Sequence, residues 1–356
     1  MSLLLIYVIA ELLLYYIEMD NLGYIVELLI LLTGILAACL TFANAIEHLG
    51  EDLNLGNQVT GSILAAVGTA LPETIIPLMA IFMAGKAASH EAAHGIAVGS
   101  IIGAPFMLST LALFLLGATL IICKKKRGTS DLVVNIKHVK RDLSYFLIAF
   151  TILISATMFN TNMKIFAAVL LLLLYAFYII QTIKAESEAQ EVETFDLPKL
   201  YLSHFRLPEN RMIIIIQTLI GLGGIIFLAE KFVHALETAS NAWGISPLIL
   251  SLLITPIATE LPEKVNSVTW ASQKKDTLAV GNLTGAMVFQ STIPGTIGLL
   301  FTPWVFDKLT TMSALLAVIS TSVLFGFIQI RGKVKGKYLL GALIPYLIYI
   351  YFAFFN

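Results

Sequence analysis

The sequence predicts an all-α membrane protein. Three observations predict it: a series of long apolar segments, a scarcity of charge, and a proline–glutamate motif that occurs once in each half of the chain. Of 356 residues, 58% are hydrophobic and 13% charged, against about 25% charged in soluble domains. Apolar segments recur at 2–17, 24–47, 57–84, 95–122, 143–158, 164–183, 212–238, 247–271, 277–301, 311–330 and 338–355. Several reach the roughly 20 residues that a membrane-spanning helix needs. A net charge of −1 leaves no global basic footprint for nucleic acid. No Walker-type phosphate loop occurs, which argues against direct drive by ATP. Cys39 and Cys123 lie too far apart in sequence for a disulfide framework or a zinc ribbon and read as small apolar filler.

Residues 1–20 read as an extra N-terminal transmembrane helix. The segment lacks a basic n-region, and "EMDNLG" (18–23) lacks the small-residue pattern of a cleavage site. "KKKRG" (124–128) with Lys137, Lys140 and Arg141 forms one basic loop, and "RGKVKGK" (331–337) forms another. With eleven spans, the excess of positive charge on inner loops places both loops, and the N-terminus, inside. The C-terminus then lies outside, in a cell (inner) membrane. The polar stretch 184–211, of mixed charge and little apolar periodicity, reads as a flexible inner linker between a first unit, 21–183, and a second, 212–356.

These two units carry a repeat. "GTALPE" (68–73) recurs as "ATELPE" (258–263), 190 residues later. Downstream of each stands a small-residue pattern, "VGSIIGAPF" (98–106) and "VGNLTGAMVF" (280–289). Each half therefore holds a broken helix and then a helix with a G-x-x-x-G face, which lets backbones approach closely. Five spans per half invert the second half against the first. The expected fold is ten core helices in two inverted five-helix repeats, plus the extra first helix. Paired interrupted segments in inverted halves point to a transporter's binding site. A glutamate in mid-membrane costs about 2.5–3.5 kcal/mol on insertion scales, so Glu73 and Glu263 are expected to converge on something that offsets that cost. Pro72 and Pro262 cannot donate backbone hydrogen bonds, which frees carbonyls around Thr69 and Thr259. Carbonyls beside carboxylates make an all-oxygen cage suited to Ca²⁺.

At these residues the sequence resembles the cation/calcium antiporter superfamily, in its sodium/calcium exchanger branch. The family repeat is G-T-S-L-P-E followed by G-N-x-x-G-S, and the resemblance covers roughly 24–355, with "AEKFV" (229–233) similar to the sixth-helix segment. It implies Ca²⁺ held by Glu73, Glu263 and the carbonyls of Thr69 and Thr259, exchanged by alternating access in which 24–47 and 212–238 move against the rest. Beyond the bilayer, the partners it implies are the transported ions alone, Ca²⁺ against Na⁺, with no resident cofactor. Departures bear on sodium. Family serines are replaced by Ala70, Glu260, Ala104 and Ala286, and a family asparagine by Ser100, while Asn282 is kept. Leu108 and Gln290 stand where the family has Asn or Asp. Glu260 and Gln290 are thus added candidates for ion binding, and H⁺ is the alternative counter-ion. Glu260 either pairs with Lys264 one turn on or serves as a proton-binding carboxylate.

"HEAAH" (90–94) raises a different class, a membrane zinc metallopeptidase with His90 and His94 as ligands and Glu91 as base. No third ligand pattern follows. The motif sits in a stretch by which the first half exceeds the second, so a solvated helix start is the plainer expectation. Glu230 is a candidate for facing the bundle. Trp243, Trp270 and Trp304 fall near span ends, as interfacial anchors do.

Overall fold

The computed structural model describes residues 22–52, 71–83, 90–188 and 199–355. The expected first helix, and Thr69 and Ala70 of the first motif, lie outside the described residues. In chain order the helices are α1 Leu22–Asp52, α2 Leu71–Met83, α3 His90–Met107, α4 Leu113–Ile122, α5 Lys124–Arg127, α6 Ile136–Ser155, α7 Thr161–Glu188, α8 Arg211–Trp243, α9 Pro247–Thr259, α10 Leu261–Ser272, α11 Asp276–Phe301, α12 Lys308–Arg331, α13 Gly336–Leu340 and α14 Leu343–Phe355. A π-helical turn, Leu108–Ala112, joins α3 to α4. Strands β1, Asp131–Leu132, and β2, Val334–Lys335, form a short antiparallel ribbon. Among the described residues, eight helical stretches are long and apolar enough to cross a membrane, and Leu71–Met83 and Pro247–Ile257 are shorter apolar helices. Large side chains such as Ile30, Phe166 and Leu173 are more than half exposed on outward faces. In water such surface would be a liability, whereas in lipid it matches the solvent. The chain is an integral membrane protein.

Local chemistry sets several boundaries. Asn135 accepts a hydrogen bond from Lys137 N and caps α6, because a side-chain oxygen satisfies an otherwise unpaired first-turn donor. Lys137, Lys140 and Arg141 therefore belong to the first turns of α6, not to the expected basic loop. The two basic segments do share one end of the bundle. Asp131 pairs with Lys335 in the ribbon, Gly336 N donates to Ser130 O, and Arg127 forms a buried 2.8 Å ion pair with Asp276. Of the expected linker 184–211, residues 184–188 continue α7 and 189–198 lie outside the described residues. The part that follows is docked. Tyr201 N donates to Asn44 Oδ1 at 3.0 Å, and Leu202 N to Gln217 Oε1 at 2.9 Å. Gln217 Nε2 donates to Asn44 Oδ1 at 2.9 Å, clasping α8 to α1.

The buried side chains form two cores. One joins α1, α8 and α2 around Leu32, Ile76, Phe232 and Leu236. The larger one runs through α3, α4, α6, α7, α11, α12 and α14. Glycine decides one contact between halves. A Cβ at Gly99 or Gly103 would overlap the carbonyl oxygens of Leu248 or Leu252, so α3 and α9 touch backbone to backbone. Gly281 and Gly285 of the second pattern meet no such partner among the described residues. Trp304 is no interfacial anchor. It is fully buried, its Nε1 donates to Leu153 O at 2.9 Å, and its ring fills the space that Gly298 leaves open. Glu230 does not face the bundle, since it is exposed while its neighbours Ala229, Phe232 and Val233 are buried.

Candidate ion-binding site

Helices α9 and α10 are two parts of one interrupted segment. The chain turns at Glu260, with Pro262 inside the first turn of α10. Proline supplies no N–H to the carbonyl one turn back, so the regular ladder stops and a new helix begins. Glu263 then occupies the first turn of α10, and Glu73 the first turn of α2. Both carboxylates stand at helix N-termini, where the backbone dipoles favour negative charge.

These two acids meet, and Glu260 joins them. Glu73 is 4% exposed, Glu260 0% and Glu263 4%. One carboxylate oxygen from each lies within 4.8 Å of the others. Neither oxygen of Glu73 has a hydrogen-bond partner among the described residues. Glu260 Oε1 accepts from Gln290 Nε2 at 2.5 Å, while its Oε2 has no such partner there. Ca²⁺ binds oxygen at about 2.3–2.6 Å, so opposed ligands stand about 4.6–5.2 Å apart. The three oxygens, all within 4.8 Å of one another, stay inside that limit. Left empty, three carboxylates at this separation repel one another in a low-dielectric interior.

Further groups shape the site. Asn282 Nδ2 donates to the Glu263 carbonyl and to Ser267 Oγ, each at 3.0 Å, and pins α11 to α10. Thr259 is buried, and its hydroxyl donates its hydrogen to Thr255 O within its own helix, so its backbone oxygen and the hydroxyl lone pairs are what it has to offer a cation. Thr69 lies outside the described residues. Ser251, Thr255 and Thr259 form a buried stripe on one face of α9, and Ser251 also meets Ser100 of α3 at 2.8 Å. The spacing of four residues was a signal available in "SLLITPIAT", but it is obscured by the motif beside it. Lys264 is 7% exposed. Its ammonium donates to Pro256 O at 3.0 Å and to Met107 Sδ at 2.9 Å. Of the two readings of Glu260, the direct ion pair with Lys264 does not form: the backbone keeps helical spacing, with Lys264 N donating to Glu260 O at 3.1 Å, but the ammonium is held on Pro256 O and Met107 Sδ instead.

His90 and His94 open α3, with ring centroids 6.1 Å apart. His90 and Glu91 are exposed. Among the described residues no third His, Cys, Asp or Glu joins them in a metal-binding group. The plainer expectation, a helix start, is what the motif is.

The family model described as sodium/calcium exchanger protein matches residues 23–184 and 213–355. A protein of Alkalimonas amylolytica named as an antiporter, CaxA, is 24% identical over 312 residues, 86% of this chain and 91% of that one. The inner membrane protein YrbG of Escherichia coli K12 is 24% identical over 300 residues, 82% of this chain and 86% of that one. The structure of the H⁺/Ca²⁺ exchanger CAX superposes with a TM-score of 0.70 at 17% identity, covering 98% of this chain and 86% of that one. The sodium-calcium exchanger NCX_Mj superposes with a TM-score of 0.54 at 24% identity, covering 94% and 99%. At these identities the two structures speak for the fold.

Proposed function

The chain belongs to the sodium/calcium exchanger protein family, and from that premise we propose that it exchanges Ca²⁺ for Na⁺ by alternating access, with Glu73, Glu260 and Glu263 holding the divalent ion. The family is one of antiporters, not enzymes, so "HEAAH" performs no peptidase chemistry. The observation that carries the reading is the meeting of three buried carboxylates from both sequence halves within 4.8 Å. Carbonyls of Thr69 and Thr259 complete the cage. The eight long helices and two interrupted segments are read as ten core helices in two inverted repeats. The N-terminus and basic ends lie inside an inner membrane, and the C-terminus outside.

Exchange follows from charge. An empty acidic cluster in a low-dielectric interior is unfavourable and resists crossing between inward- and outward-facing states. Cations that offset the charge permit it. Only filled sites cross, so one ion's entry is coupled to another's exit.

A second reading keeps the divalent site and replaces Na⁺ by H⁺. It is favoured by Ala104 and Ala286, which lack the hydroxyl oxygens the family uses, and by Glu260, which adds a carboxylate. Ca²⁺ uptake into proteoliposomes under separate Na⁺ and pH gradients tests both. Uptake dependent on Na⁺ on the opposite side supports the first and dependence on a pH gradient the second. Ca²⁺ movement that needs no counter-ion at all rejects exchange.

A further inference from the structure

Where the second motif has Glu260 and Lys264, the first has Ala70 and Thr74. One half has thus gained an acid and a base together. The acid enters the carboxylate cluster. The base is buried beside it, within electrostatic reach of Glu73, Glu260 and Glu263. Yet its ammonium is tied to two uncharged acceptors, Pro256 O on α9 and Met107 Sδ on α3. A lysine bonded directly to these carboxylates would occupy the oxygens that a cation needs. Held on the carbonyl and the thioether, it contributes its charge and leaves the oxygens of Glu73 and Oε2 of Glu260 open.

We propose that Lys264 is a built-in counter-cation that cancels the charge of Glu260, so that the site gains a ligand while keeping the net charge of two glutamates. This rests on the reading of the cluster as the Ca²⁺ site. Three carboxylates and one ammonium leave two negative charges. One Ca²⁺ neutralises them, and so do two monovalent cations of either kind. Exchange at two monovalent ions per Ca²⁺ moves no net charge. Without the ammonium the site carries three negative charges, so one Ca²⁺ leaves one of them uncompensated while three monovalent ions leave none; a site that crosses in both of these forms carries one net charge per cycle, and exchange becomes electrogenic.

The test compares wild type, Lys264→Met and the charge-balanced double variant Glu260→Gln/Lys264→Met in proteoliposomes. Membrane potential is clamped by K⁺ and valinomycin, and Ca²⁺ exchange is driven by the monovalent gradient that supports wild type. One charge crossing 100 mV sets a ceiling of about 50-fold in rate (about 2.3 kcal/mol). Wild type should change by less than about twofold over 100 mV, and Lys264→Met by about fivefold or more. The double variant, where it transports, should return to voltage independence. A voltage-sensitive wild type, or a Lys264→Met protein as insensitive as wild type, overturns the proposal. Equilibrium ⁴⁵Ca²⁺ binding to purified protein decides the case in which Lys264→Met does not transport. Removal of a nearby positive charge should tighten binding at least about tenfold, and unchanged or weaker binding overturns the proposal. Wild type that binds no Ca²⁺ overturns the underlying site instead, and so is told apart from a failure of Lys264 alone.

Discussion

Gln290 and Thr259 flank the same carboxylates but serve them through different atoms. Gln290 offers a side-chain donor to Glu260. The Thr259 hydroxyl spends its hydrogen on its own helix at Thr255 O. Gln290→Leu leaves a buried carboxylate oxygen without that donor, a loss of about 1–3 kcal/mol. A bound cation would satisfy the same oxygen. The melting temperature of Gln290→Leu should therefore fall further below wild type without Ca²⁺ than with saturating Ca²⁺. An equal fall in both conditions would place the Glu260–Gln290 contact outside the ion site. Thr259→Ser, which keeps the carbonyl and a hydroxyl, should transport within about threefold of wild type.

The close approach of α3 and α9 is the element-scale feature that brings the halves together. Gly103→Val would press a branched side chain onto the Leu252 carbonyl. Overpacking of this kind costs about 1–3 kcal/mol or more. Both melting temperature and Ca²⁺ transport should fall, whereas Gly223→Ala, with nothing within 4 Å of the added carbon, should melt like wild type. Close helix contact was legible from the spacing of Gly99 and Gly103, and convergence from the repeated Leu-Pro-Glu. Side-chain direction was less so. Glu260 and Lys264 keep helical spacing and still do not pair, because the ammonium is held by Pro256 O and Met107 Sδ, contacts that spacing alone does not announce. Trp304 has the position of an interfacial anchor, but Gly298, shortly before it in the sequence, leaves the space that its ring fills. Glu230 shares a segment with buried Ala229 and Phe232, and one residue of rotation turns it outward. The Asn44–Gln217 clasp joins positions 173 apart, and no local pattern announces such a pair.

At the scale of the molecule, the carboxylates come from both halves of the chain, and so do the ties at one end of the bundle. Arg127 from the first half and Asp276 from the second are each 4% exposed and form an ion pair, and Asp276 Oδ2 also accepts from Val133 N at 2.8 Å. Breaking one partner of a buried pair costs about 3–5 kcal/mol because the other is left uncompensated. Arg127→Ala and Asp276→Ala should each destabilise strongly. Their double variant should lose much less than the two losses added together, as read from thermal unfolding, while additivity would mean that the pair is not coupled. The central claim is that acids from the two halves share one Ca²⁺, and ⁴⁵Ca²⁺ equilibrium binding to purified wild type, Glu73→Gln and Glu263→Gln tests it most directly. The account predicts saturable binding to wild type and a loss of affinity of at least about 100-fold in either variant. Wild-type affinity in either variant would contradict it.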